Sequence, residues 1–151
     1  MRMTTRYREL IRRPQLAVMV GSYDALSARL VEAAGFDLTF VHDYGVSAGL
    51  LGMPDMGLVT LTEMTGVITN VVKAVAIPVV ADGGCGFGNA LNTYRTVREY
   101  EAAGAAGINL EQGQVLFGQG GDQHGLPWLL RPLQADHDLG GVLDHMGVGD
   151  E

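Results

Sequence analysis

Apolar positions along this chain alternate between short continuous runs and longer stretches in which they recur every three or four residues. Thr4 to Arg13 predicts a short helix that turns Leu10 and Ile11 inward and stops at Pro14. Leu16 to Val20 reads as a short buried strand closed by Gly21. Ser22 or Asp24 can cap the next helix, whose Leu26, Leu30, Val31 and Ala34 share one face before Gly35 ends it. Leu38 to Val41 then gives a second strand, in residues that suit a pleated, buried position.

From His42 to Val59 the pattern dissolves into a glycine-rich stretch, expected to be a loop. Thr60 and Glu63 have the spacing of a capping box, and Leu61, Met64, Ile68, Val71 and Val75 behind them predict an amphipathic helix. Ile77 to Ala81 forms a third strand that delivers Asp82 to its end, followed by a run of glycines and by Asn89, a good helix cap. Leu91, Tyr94, Val97 and Tyr100 mark the helix that follows, Gly104 ends it, and Ala106 to Leu110 is a fourth strand finishing at Glu111. Four strands alternating with helices imply right-handed crossovers and a parallel sheet. Beyond Gln112 the periodicity is lost; residues 115–151 are expected to be a loop-rich tail, with at most one helix near Gly141 to Met146.

A length of 151 residues suits one domain, and a net charge of -7 argues against a nucleic-acid surface or a basic membrane-binding face. No apolar stretch approaches the roughly 18 residues of a membrane span, and the N-terminus has no apolar signal core. A single cysteine, Cys85, excludes an intrachain disulfide and suits a reducing, cytoplasmic setting.

The chemistry-bearing residues are carboxylates at strand ends. Asp55, Asp82 and Glu111 follow strands two, three and four, so a parallel sheet would put all three on one rim. Acids converging without a basic partner repel one another unless a cation is present, and a hard ion such as magnesium is the economical explanation. Spacing alone leaves the alternative open, in which each acid is separately solvated and Asp82 sits in a surface turn.

Several runs, taken in order, closely resemble the isocitrate lyase and phosphoenolpyruvate mutase superfamily. They are Ser22-Tyr-Asp-Ala-Leu-Ser-Ala-Arg29, Glu32-Ala-Ala-Gly-Phe36, Leu51-Gly-Met-Pro-Asp-Met-Gly57, Leu61-Thr-Glu-Met64, Ile77-Pro-Val-Val-Ala-Asp82, Gly86-Phe-Gly-Asn89 and Thr96-Val-Arg-Glu-Tyr-Glu101. The closest groups are the methylisocitrate, dimethylmalate and oxaloacetate-type lyases and the carboxyphosphonate mutases. The resemblance runs from about Tyr7 to Glu111 and implies a partial (β/α)8 barrel over residues 1–114, the N-terminal half of the fold. It implies magnesium, or manganese, as cofactor and a small carboxylate as substrate, cleaved or rearranged at a C–C or C–P bond through a pyruvate-like enolate. On this resemblance Asp82 touches the metal, Glu111 holds it through water, and Asp55 is the catalytic loop acid. Tyr44 and Gly45 bind the oxo acid through backbone amides, with His42 and Asp43 beside them. Arg95 and Arg98 are read as solvated helix charges.

The departures from the resemblance are specific. Its second aspartate, two residues after the first, is Gly84 here, and its Ser/Thr-Gly pair after strand two is His42-Asp43, which could supply replacement ligands. Its Lys-x-Cys-Gly-His loop has no counterpart, since Val115 to Gly125 holds neither lysine nor cysteine. Half a barrel would expose a sheet edge and apolar helix faces, which predicts a homo-oligomer. A truncated or frameshifted ending, and with it a binding or regulatory remnant, is the alternative to an enzyme.

Overall fold

The computed structural model describes residues 2–111 and 129–132. Five strands form one sheet, in the order β1 (Met19–Ser22), β2 (Leu38–Val41), β3 (Val79–Asp82), β4 (Gly107–Leu110) and β5 (Leu129–Pro132). The first four are parallel, with Met19 opposite Leu38, Thr39 opposite Val79 and Val80 opposite Gly107. Each successive parallel strand lies one place further along the sheet, the order found in an arc of a (β/α)8 barrel. The α/β class and the four parallel strands expected from the alternation are therefore borne out.

Helices α1 (Met3–Arg12), α2 (Ala25–Ala33), α3 (Asp43–Leu51), α4 (Leu61–Ala74) and α5 (Ala90–Ala103) complete the described fold. Because side chains alternate along a strand, the sheet has two apolar faces. On one face Val41, Val79, Ala81 and Ile108 meet Ala28, Met64, Ile68, Val71, Val97 and Tyr100 of the helices. On the other Leu38, Val80 and Ala106 meet Tyr7 and Leu10 of α1. No helix among the described residues is long and apolar enough to cross a membrane.

Several expectations need correction. Residues 43–51, read as loop, form α3: the His42 imidazole accepts the Gly45 amide as its cap, and Gly52 ends it in a left-handed conformation at φ 65°. The first strand begins at Met19 rather than Leu16, which is 89% exposed, because pairing with β2 runs through Gly21 to Ser22. Ser22 stays in the strand, its hydroxyl hydrogen-bonded by that of Thr39 at 2.9 Å, and Asp24 alone caps α2. Ile11 of α1 faces out while Tyr7 joins Leu10 inside. On α2, Leu26, Leu30 and Ala34 are exposed and Ala28 and Val31 face the core. On α5, Leu91 and Tyr94 are exposed and Thr93, Thr96, Val97 and Tyr100 are buried. Residues 129–132, read as loop, form β5 antiparallel to β4. The helix expected near Gly141 to Met146 lies outside the described residues.

Candidate functional site

Parallel strands deliver their ends to a common edge, and four carboxylates gather at it. Asp82 is the last residue of β3, and its place beside Val80 in the alternation turns it to the α1 side of the sheet. It is 5% exposed, and its Oδ1 accepts the Gly84 amide at 2.9 Å. The Tyr100 hydroxyl on α5 donates to the Asp82 carbonyl at 2.9 Å, and the Gly83 amide donates to the Asn109 carbonyl of β4 at 2.8 Å. The Glu111 amide donates to the Gly84 carbonyl at 2.8 Å. The glycine turn after β3 is thereby tied to both neighbouring elements, which fixes where Asp82 stands.

Asp43 opens α3 directly after β2, with its Oδ1 accepting the Tyr44 amide at 2.7 Å. Its carboxyl interacts electrostatically with those of both Asp82 and Asp55. Asp55 sits in the exposed segment after α3, where its Oδ1 accepts the Gly57 amide at 3.3 Å. Glu111, just past β4, is exposed but close enough for its charge to act on Asp82.

The electrostatics follow from this crowding. Burial, opposed in part by the Gly84 amide and reinforced by Asp43 and Glu111, pushes Asp82 up to about 7. Burial and the charge of Asp55 raise Asp43, and burial with Asp43 and Asp55 raises Glu111. Cys85 lies within reach of the same field: burial, then Glu111, Asp43, Asp82 and Asp55, push its thiol up, so it is a poor nucleophile here.

His42 lines the same edge. Its Nδ1 accepts the Gly45 amide at 2.8 Å, so the proton of the neutral ring is on Nε2. The ring stacks with Phe40 and Tyr44 and meets Tyr23 edge-on. A side chain at Gly21 would collide with it, since a Cβ there would stand 2.8 Å from His42 Cδ2.

The charges of Asp43 and Glu111 act on Asp82, and Asp43 is coupled to Asp55 as well, but Asp55, Asp82 and Glu111 do not form a group that could hold a metal ion among the described residues. The structure does not leave the Tyr44 and Gly45 amides free for a substrate oxygen: they are donated to Asp43 and His42. Arg95 and Arg98 pair with Glu99 and Glu101 on the exposed side of α5, in line with solvated helix charges. Sequence reasoning passed over Asn109. It is 4% exposed, pairs in register with Asp82 on the same face, and its Oδ1 has no hydrogen-bond partner among the described residues. A lone asparagine in an apolar run gives no signal until the register puts it beside an acid.

A hard divalent ion fits this donor set in its chemistry. Every candidate ligand is an oxygen, the carboxylates repel one another, and the buried Asn109 oxygen has no donor among the described residues. Among the described residues, however, no three His, Cys, Asp or Glu side chains are grouped so that they could hold a metal ion.

The chain is similar in sequence and in structure to known proteins. A family model described as phosphoenolpyruvate phosphomutase matches residues 7–127. The chain is 46% identical over 111 residues to 2,3-dimethylmalate lyase of Eubacterium barkeri, covering 74% of this chain and 38% of that one. It is 48% identical over 111 residues to the chloroplastic carboxyvinyl-carboxyphosphonate phosphorylmutase of Arabidopsis thaliana, covering 73% and 33%. It superposes on a phosphonopyruvate hydrolase solved with oxalate and Mg++ with a TM-score of 0.74 and 29% identity, covering 78% and 41%. The chain therefore spans between a third and two fifths of the length of these relatives.

Proposed function

The chain belongs to the phosphoenolpyruvate phosphomutase family, and from that membership we propose that it forms the metal- and substrate-facing edge of a lyase or mutase. The reaction breaks or rearranges a C–C or C–P bond in a small 2-oxo or hydroxy carboxylate, by way of a pyruvate-like enolate. The observation that supports this reading is Asp82 buried at the carboxyl end of a parallel strand, where burial first and then the charges of Asp43 and Glu111 oppose its ionisation.

Asp82 and Glu111 would hold magnesium or manganese, Asp82 directly and Glu111 through water, while Asp55 faces the substrate from the segment after α3. When bound, the ion would neutralise the acids and offset negative charge developing on a substrate oxygen. Asp82 is kept in position by the Gly84 amide and by the Tyr100 hydroxyl on its own carbonyl. His42, with its Nε2 proton at the same edge, can donate to a substrate carboxylate beside Tyr44. Cys85, its thiol held protonated, is not assigned the attacking role.

The test is turnover of 2,3-dimethylmalate, 2-methylisocitrate and oxaloacetate by the purified chain, with magnesium and with a chelator. Magnesium-dependent turnover of one of them, lost in Asp82→Ala, is the expected result. Turnover unaffected by either change would overturn the reading. A homo-oligomer is part of the same proposal: the outer edge of β1 pairs with no described strand, and Leu26, Leu30 and Leu91 are exposed. Sedimentation velocity at micromolar concentration should find a species of at least two chains, and a lone monomer would refute it.

A further inference from the structure

Asp55 stands in the middle of an exposed segment, residues 52–58, and something must fix where it stands. Downstream the chain is taken up by Val59, which is buried, and by the Thr60 cap of α4. Upstream, Gly52 ends α3 in a left-handed turn, and the chain comes back to Ser47. Ser47 is fully buried although polar. Its Oγ donates to the carbonyls of Met53 at 3.0 Å and Pro54 at 3.1 Å, one proton shared between two acceptors, and its own carbonyl accepts the Met53 amide at 3.5 Å. A hydroxyl inside a helix ordinarily turns back to the carbonyl one turn before it. On α4 those of Thr65 and Thr69 do so, bonding the carbonyls of Leu61 at 2.7 Å and Thr65 at 2.8 Å. Ser47 turns the other way, out of its helix and onto the two residues that precede Asp55.

Resting on the function proposed above, we propose that Ser47 is the positioning residue of Asp55: its hydroxyl fixes residues 53 and 54, and through them the acid that faces the substrate. Among the described residues no other side chain bonds the backbone of residues 52–56. The bond from the Gly57 amide to Asp55 Oδ1 is internal to the segment and ties it to nothing else. The hold comes from the core, because Val46, next to Ser47, belongs to the same buried cluster as Met64 and Ile68 of α4. A close-packed neighbour of this kind keeps α3 from shifting. Without the hydroxyl, the carbonyls of Met53 and Pro54 belong to exposed residues and can turn to water. The segment should then loosen while the helix stays, since alanine is a better helix former than serine.

Hydrogen exchange and nitrogen-15 relaxation of the full chain read the hold directly, with neither substrate nor metal present. In Ser47→Ala the Met53 and Gly57 amides, the two that donate within the segment, should exchange about tenfold faster. Order at Asp55 and Met56 should fall, and the amides of Met64 to Val71 on α4 should stay as in the natural chain. Turnover reads the consequence: kcat should drop on the order of 10- to 100-fold with KM little changed. In an Asp55→Ala background the same substitution should add nothing, because Ser47 acts only through that acid. Ser47→Cys, similar in shape and a weaker donor, takes the place of Ser47→Ala if circular dichroism finds the latter unfolded. Unchanged exchange at Met53 and Gly57, exchange rising equally through α4, undiminished turnover, or losses that add in the double variant each overturn the role of Ser47. A natural chain that turns over none of the substrates overturns the function instead, and exchange then decides by itself whether Ser47 holds the segment.

Discussion

Replacing Asp82 with asparagine should raise the melting temperature of the metal-free protein above pH 7 by about 5–10 °C, and should abolish its response to magnesium. Asp82 titrates at about 7 in the folded chain against an ordinary 3.8. Between those values the native state holds a proton that the unfolded chain has released, so stability falls as pH rises, the reverse of a salt-bridged aspartate. The contribution is fully present below about pH 4 and is lost once pH passes about 7. Asparagine carries no charge at any pH and can still accept the Gly84 amide, so it escapes the loss without breaking the turn. A rise from 3.8 to about 7 would correspond to about 4 kcal/mol if Asp82 bore it alone. The acids share the repulsion, so about 2 kcal/mol is expected. Calorimetry in chelator from pH 4 to 9 should show the two proteins converging at the acid end and separating above neutrality. Parallel curves across that range would contradict the account. Magnesium should close the gap from the other direction, by stabilising the natural chain and leaving the variant unmoved.

How much of this was legible beforehand depends on which signal each element carried. The capping box from Thr60 to Glu63 and the Asn89 cap lie close to helix starts whose side chains bond their own backbone, so local sequence suffices, and both are present. Strands β2, β3 and β4 were visible because they are short, apolar and buried on both faces. The helix faces were misread for one reason. Periodicity follows the largest apolar residues, whereas α2 and α5 lay small and hydroxyl-bearing residues against the sheet. Thr96 is tolerated there because its hydroxyl donates to the carbonyls of Gly86 and Asn92 at 3.0 Å each. The large residues left outside, Leu26, Leu30 and Leu91, are the apolar surface that the proposed oligomer would cover.

The site was legible in part for the same physical reason. An acid at the end of a buried strand stands out, which is how Asp82 and Glu111 could be named, and parallel pairing then decides that they share an edge. Asp43 was visible only through its place after strand two, as a neighbour of the substrate or a replacement ligand. Its electrostatic coupling to Asp55 and Asp82 depends on α3, a helix hidden by its glycines and by a histidine acting as cap.

The two glycines inside α3 should respond to alanine in opposite directions. Glycine in a helix ordinarily costs about 0.5–1 kcal/mol relative to alanine, because it loses more backbone freedom on folding. At Gly49 an added Cβ would lie 3.5 Å from Tyr23 Cδ2, an ordinary contact on an exposed face, so Gly49→Ala should stabilise by about that amount. At Gly45 the new Cβ would overlap His42 Cε1 and press on Tyr23 Cβ at 2.8 Å. Neither neighbour can give way freely. His42 is held by its own bond to the Gly45 amide and by rings on either side, and Tyr23 is the residue just past β1. Gly45→Ala should therefore destabilise by about 2 kcal/mol, the usual scale of overpacking after the helical gain is subtracted. It should also expel the imidazole from the edge, visible as a changed shift and tautomer of His42 in nitrogen-detected spectra. Chemical denaturation of the two variants side by side makes the comparison. If both alanines stabilise, the ring is not seated by the space at Gly45, and the donor role given to His42 loses its support.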